Sequence, residues 1–173
     1  MNKLLLMTGA LASIATIGNP LAAAEMNIEV QIPRLDVAEY HRPYVALWLE
    51  QDNRHAADIA VWYDLRLSDE EGEKWLKDLR LWWRRSGREL DMPVDGLSAA
   101  TQPPGIHQLH LKSDEVPLND LAPGEYDLVI EAAREVGSRE MLRLPFNWPP
   151  QNLTTVNANG DSELGRVTLS VSP

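Results

Sequence analysis

The sequence predicts a mostly β protein, an immunoglobulin-like antiparallel β-sandwich carrying one inserted helix at about residues 68–86. Three observations carry that expectation. Short stretches that alternate apolar and polar residues, or concentrate branched and aromatic ones, recur along the chain between turn-forming residues. A single segment breaks the pattern with apolar residues at helical spacing. The stretch "APGEYDLVIEA" has the turn-then-strand form common in immunoglobulin-like sandwiches.

The chain opens with "MNKLLLMTGALASIATIGNPLAAAEM". Lys3 gives a positive start, Leu4 to about Ile17 an apolar run, and Ala22-Ala23-Ala24 a small-residue cleavage site. This is the form of a secretory signal peptide cut after Ala24, so residues 1–24 are set apart from the fold and the mature protein is expected in the periplasm. The apolar run falls short of the roughly 20 residues that span a bilayer, which argues against a membrane anchor. Residues 25–173 suffice for one β-sandwich domain with a core of its own.

"MNIEVQI" (26–32) alternates and reads as the first strand. "RPYVALWLEQ" (42–51) and "ADIAVWYDLRL" (57–67) are rich in branched and aromatic residues, and "DNRHA" between them suits a hairpin turn. Ser68, followed by Asp69, Glu70 and Glu71, has the pattern of a capping box. "KWLKDLRLWWRR" then ends in cations before Gly87, and Trp75, Leu76, Leu79, Trp82 and Trp83 share one broad face, so one helix of about four turns is expected. Strands resume with "GIHQLHLK" (105–112), "GEYDLVIEAARE" (124–135), "REMLRLPFNW" (139–148) and "GRVTLSVS" (165–172). "EVGSRE" suits a turn between paired strands, and "NWPPQNLTTVNANGDSE" reads as a long connection.

Composition narrows function. After the signal peptide 15 bases stand against 26 acids, a net charge of −11, which argues against nucleic acid or an anionic lipid surface as a partner. The absence of cysteine removes disulfides, thiolate catalysis and the commonest structural zinc sites. His107 and His110 stand three apart, which on a strand puts them on opposite faces, so no metal site is expected. Ser98 lacks a nucleophile elbow, the acids lie in caps and loops, and glycine-rich phosphate loops are missing, so no catalytic residues are assigned.

The segment "DGLSAATQPPG" (95–105) reads first as a surface loop of small residues. Within it Asp95, Gly96, Ser98, Ala100 and Thr101 resemble the acceptor motif of proteins flavinylated by the periplasmic FMN transferase, a D-G-x-[S/T]-G-A-[T/S] pattern shared with subunits of sodium-translocating quinone reductases and Rnf complexes. The resemblance implies FMN joined through its phosphate to the hydroxyl of Thr101. Ala99 stands where that family most often has Gly. Were a positive φ required there, Ala would cost roughly 1 kcal/mol.

"RPYVALWLE", "ADIAVWYD", "KWLKDLRLWWRRSG", "PGEYDLVIEAAREVG" and "LPFNW" together resemble the exported bacterial domain-of-unknown-function family 2271 (DUF2271), over nearly all of residues 26–172. That resemblance implies association with flavin transfer and with PepSY-type membrane proteins that move electrons. The expectation is a periplasmic flavoprotein electron carrier, a redox carrier more than an enzyme with its own substrate. Six tryptophans accompany a single phenylalanine. Trp48 and Trp62 suit the core, and Trp82 or Trp83 is the candidate platform for the flavin ring. Arg84, Arg85, His107 and His110 are candidates to balance the phosphodiester charge. The competing reading is an immunoglobulin-like periplasmic binding or adaptor module without flavin.

Overall fold

The computed structural model describes residues 23–66 and 71–173. The expected signal peptide lies almost wholly outside the described residues, as do Ser68, Asp69 and Glu70 of the expected helix cap. Among the described residues no helix is long and apolar enough to cross a membrane.

The described strands, in chain order, are β1 (Glu25–Ile32), β2 (Tyr44–Gln51), β3 (Arg54–Tyr63), β4 (Ser98–Ala100), β5 (Gly105–Lys112), β6 (Gly124–Ala133), β7 (Arg139–Trp148), β8 (Thr154–Asn159) and β9 (Arg166–Ser172). They form a four-stranded sheet, ordered β5-β1-β9-β8, and a five-stranded sheet, ordered β4-β3-β2-β6-β7. The fold is the expected β-sandwich, and every pairing is antiparallel except β3 with β4.

The hairpin expected between the second and third strands is present, with a tighter turn than "DNRHA". Asp52 and Asn53 both take positive φ, 51° and 58°. A two-residue type I′ loop requires left-handed backbone at both positions, and Asn and Asp tolerate it best. β6 and β7 pair along their full lengths around "EVGSRE". At the start of β6 the Tyr126 hydroxyl donates to the Ala122 carbonyl at 2.7 Å, as in the tyrosine corner of immunoglobulin-like domains.

Two cores follow from the burial pattern. β1 alternates buried and more open residues because only its inner face is covered. β2 is buried along six consecutive residues because both its faces are covered. Val45, Leu47 and Leu49 point between the sheets, with Ile28, Val30, Leu128, Ile130, Leu169 and Trp62. Ala46 and Trp48 point the other way, into a second core with Val61, Tyr63, Leu76, Leu79 and Trp82.

The helical segment that builds this second core is not one helix of four turns. It consists of α1 (Glu71–Lys74), a 3₁₀ turn at Leu76–Asp78, α2 (Arg80–Arg85) and a 3₁₀ turn at Gly87–Glu89. A carboxylate causes the break. In a continuous helix the Leu81 and Trp82 amides would donate four residues back. Here they donate to Glu131 on β6, at 3.0 and 2.9 Å. The preceding amides of Asp78 and Leu79 turn to the carbonyls three residues back, Trp75 and Leu76.

Two stretches read as connections carry strands. "NWPPQNLTTVNANGDSE" contains β8, which among the described strands pairs with β9 at the sheet edge and shows polar side chains to solvent. "DGLSAATQPPG" contains β4, a three-residue edge strand parallel to β3.

Candidate functional site

Val94, Asp95, Gly96 and Leu97 form a tight turn, the Leu97 amide donating to the Val94 carbonyl at 3.2 Å. Gly96 has φ +75°, which a side chain would oppose, at the third position where turns place glycine. Ser98 Oγ accepts from the Val94 amide at 2.9 Å and holds the turn against the strand that follows. Ala99 then pairs with Trp62 and Ala100 with Tyr63. Ala99 is not among the residues of positive φ and sits in ordinary strand geometry, so the strain considered for an Ala there does not arise.

Thr101 ends this ladder, its amide donating to the Tyr63 carbonyl at 3.1 Å. Residues 98–101 are half-buried and not the open surface loop their composition suggested, because small residues here let an edge strand lie close against β3. The Arg42 guanidinium approaches the Thr101 carbonyl at 3.4 Å.

Thr101 borders a cavity of about 310 Å³. Its walls come from separate parts of the chain: Arg42 and Tyr44 at the start of β2, Trp75 between the helical pieces, Arg134 and Val136 in the β6–β7 turn. Trp75 is half exposed, at 50%. Lys77 Nζ lies 5.9 Å from the centre of its ring. Burial pushes the Tyr44 hydroxyl above its ordinary pKa, with the Asp64 carboxylate adding to the effect against a backbone hydrogen bond, so this wall stays neutral at physiological pH.

The β6–β7 turn fixes Arg134. Val136 holds φ +54°, a conformation that β-branched residues rarely take and that costs on the order of 1–3 kcal/mol. A Cβ on Gly137 would sit 2.6 to 2.8 Å from the Arg134 guanidinium, so glycine is what lets that group lie against the turn. Arg134 Nε donates to Glu163 at 2.8 Å, and both side chains are buried. Glu163 also accepts from the Ser138 amide and hydroxyl. Its loop is anchored by Glu140. Burial alone would raise the Glu140 carboxyl, yet the amides of Asp161, Leu164 and Ser162 point into it and hold it below its ordinary value.

The residues singled out from sequence divide. Asp95, Gly96, Ser98, Ala100 and Thr101 form one continuous turn and edge strand. Trp82 cannot serve as a ring platform: it is fully buried, its indole N–H donating to Asp58 at 2.9 Å. Trp83 packs partly buried beside it, ring centres 6.4 Å apart, and does not line the cavity. The tryptophan that lines the cavity is Trp75, which helical periodicity had placed with the buried face. Arg84 donates to the Arg80 carbonyl, and Arg85 pairs with buried Glu50. His107 and His110 face opposite ways, His107 toward Trp62 and the Pro103 carbonyl, His110 toward Asn27. None of these four lines the cavity, where Arg42 and Arg134 stand instead. Thr101 was legible within its motif, but the spacing of Arg42, Trp75 and Arg134 along the chain left no local pattern to bring them to it.

A family model described as a predicted periplasmic protein (DUF2271) matches residues 25–166. No curated protein and no solved structure matches the chain.

Proposed function

The chain belongs to the DUF2271 family of predicted periplasmic proteins, and from that premise we propose that it is a periplasmic flavoprotein electron carrier with FMN esterified to Thr101. The observation that carries the reading is the open cavity beside Thr101, walled by a half-exposed tryptophan and by two arginines. At about 310 Å³ it lies at the lower end of the range small-molecule sites occupy, roughly 300–1,000 Å³. The residues present fit the group: an indole face for a flat ring, cations for a phosphate, and a hydroxyl-bearing residue at the rim.

Attachment is a phosphoryl transfer from a flavin pyrophosphate donor held by a periplasmic FMN transferase. The Thr101 Oγ–P bond forms as the pyrophosphate P–O bond breaks, and the hydroxyl proton leaves with the departing nucleotide phosphate. FMN, once bound, supplies reversible electron transfer. Trp75 offers a stacking surface, Tyr44 a neutral wall, and the Gly96 turn with the Ser98 hydrogen bond holds the acceptor strand in register. Electrons would come from a PepSY-type membrane redox protein, and the acidic surface favours a basic docking face on that partner.

Intact-mass analysis of the exported protein, made with and without an FMN transferase, tests this. The expected gain is one FMN less one water, requiring both the transferase and Thr101, and absent from Thr101→Ala. An unmodified mass in the presence of a transferase active on another acceptor would overturn the reading and leave a binding module without flavin.

A further inference from the structure

We propose that Arg134 and Arg42 form a phosphate clamp in the cavity beside Thr101, recognising the phosphate of a flat aromatic phosphoester before any covalent bond is made. The clamp rests on the flavin reading for the identity of its ligand and not for its own existence.

Arg134 is the central observation. Its side chain is only 6% exposed. Its Nε is committed to Glu163, yet among the described residues its buried Nη1 has no hydrogen-bond partner. Folded proteins leave few buried donors unmet, and a guanidinium with one edge satisfied presents the other as a fork matched to phosphate or carboxylate oxygens. Arg134 also lines the cavity, so a small turn of its guanidinium about the Glu163 pair would bring Nη1, shielded from solvent at rest, onto an oxyanion seated there.

Arg42 supplies the second cation. Its hydrogen bond to the Thr101 carbonyl is long at 3.4 Å, so the group gains by turning to a better acceptor. A phosphate on Thr101 would lie next to a guanidinium already touching that residue's backbone.

The remaining charges orient the ligand. Asp64, Asp78 and Glu135 also line the cavity, and Glu135 faces His41 Nδ1 at 3.5 Å. These carboxylates disfavour a phosphate on their side, which leaves the arginines for the phosphate and Trp75 with Tyr44 for the ring.

The test uses full-length mature protein from cells without a transferase, so that no flavin is attached, titrated with FMN, riboflavin and inorganic phosphate and followed by flavin and tryptophan fluorescence. FMN is expected to bind at least tenfold tighter than riboflavin, phosphate to compete with FMN, and Arg134→Gln to remove most of the FMN preference. Loss of Arg134 leaves Glu163 without its buried partner and can unfold the chain, so exposed Arg42→Gln is the second variant, expected to reduce the preference several-fold with an unchanged circular dichroism spectrum. Equal binding of the two flavins, or a preference untouched in Arg42→Gln and in folded Arg134→Gln, would overturn the clamp. The titration and the mass measurement fail independently. FMN preference in a chain that is never flavinylated keeps the clamp and makes its ligand a free phosphoester. A flavinylated chain without that preference keeps the carrier and removes the clamp.

Discussion

Trp82→Ala is expected to lose about 3–5 kcal/mol of stability, the usual cost of truncating a fully buried large aromatic residue. Trp82 is the centre of the second core, packed with Leu76 and Leu79 between the helical segment and the five-stranded sheet. Its indole N–H also meets Asp58, which Ser86 and His55 hold from the other side. For a domain of this size the loss lowers the melting temperature by roughly 6–20 °C, and it is a large share of the 5–15 kcal/mol that stabilises most domains. Gly87 gives an internal check. A Cβ there would lie 2.5 Å from the Trp82 ring, so Gly87→Ala is damaging in the native chain and far milder once Trp82 is Ala. Chemical denaturation of the two single variants and the double variant measures that coupling. A Trp82→Ala loss below 1 kcal/mol, or additive effects, would contradict the packing described.

Glu131→Ala comes next, with an expected loss of about 2–6 kcal/mol. The carboxylate is fully buried and takes the Leu81 and Trp82 amides together with Arg139 Nη1, the last at 2.7 Å. Arg139 is 42% exposed and can turn to water when its partner is removed. The Trp82 amide is buried and the Leu81 amide partly so, and a buried donor left unmet costs roughly 1–3 kcal/mol. Glu131→Gln keeps one acceptor oxygen and should recover part of the loss. A Glu131→Ala chain as stable as the native one would mean that these amides find the carbonyls of a regular helix, and amide exchange across residues 80–85 would show it.

That carboxylate also explains where sequence reading stopped. Helical periodicity identified the segment and its buried Leu76, Leu79 and Trp82, but a residue fifty positions away decides which carbonyls its amides can use. Trp75 changed faces for the same reason: once the helix breaks into 3₁₀ turns, a continuous 100° wheel no longer describes it. Strands with one covered face were legible nearly to the residue, as in 105–112 and 139–148, because alternation reports one-sided burial directly. β8 was hidden because an edge strand of Thr, Asn and Ala facing water has the composition of a loop. β4 is too short for any period to show. The residues of the proposed acceptor motif lay in one stretch and could be picked out together. The cavity beside it could not, since Arg42, Trp75 and Arg134 meet only through the sheet.

The edge position of β4 carries a dynamic consequence. Its hold on the sheet is a three-residue parallel ladder, a turn at Gly96 and the Thr101 amide, while both cores close without it except for Leu97 and partly buried Ala99. Such a segment belongs to the low-stability end of a fold and opens at far less than the cost of global unfolding. Amides of 98–101 are therefore expected to exchange with solvent orders of magnitude faster than those of β2 or β6, and equal rates would show that β4 opens only with the whole domain. Unzipping these few residues would let the Thr101 hydroxyl swing out to a large enzyme and re-close afterwards, so that a residue half-buried at rest is reachable as a hinged flap and sheltered as a strand.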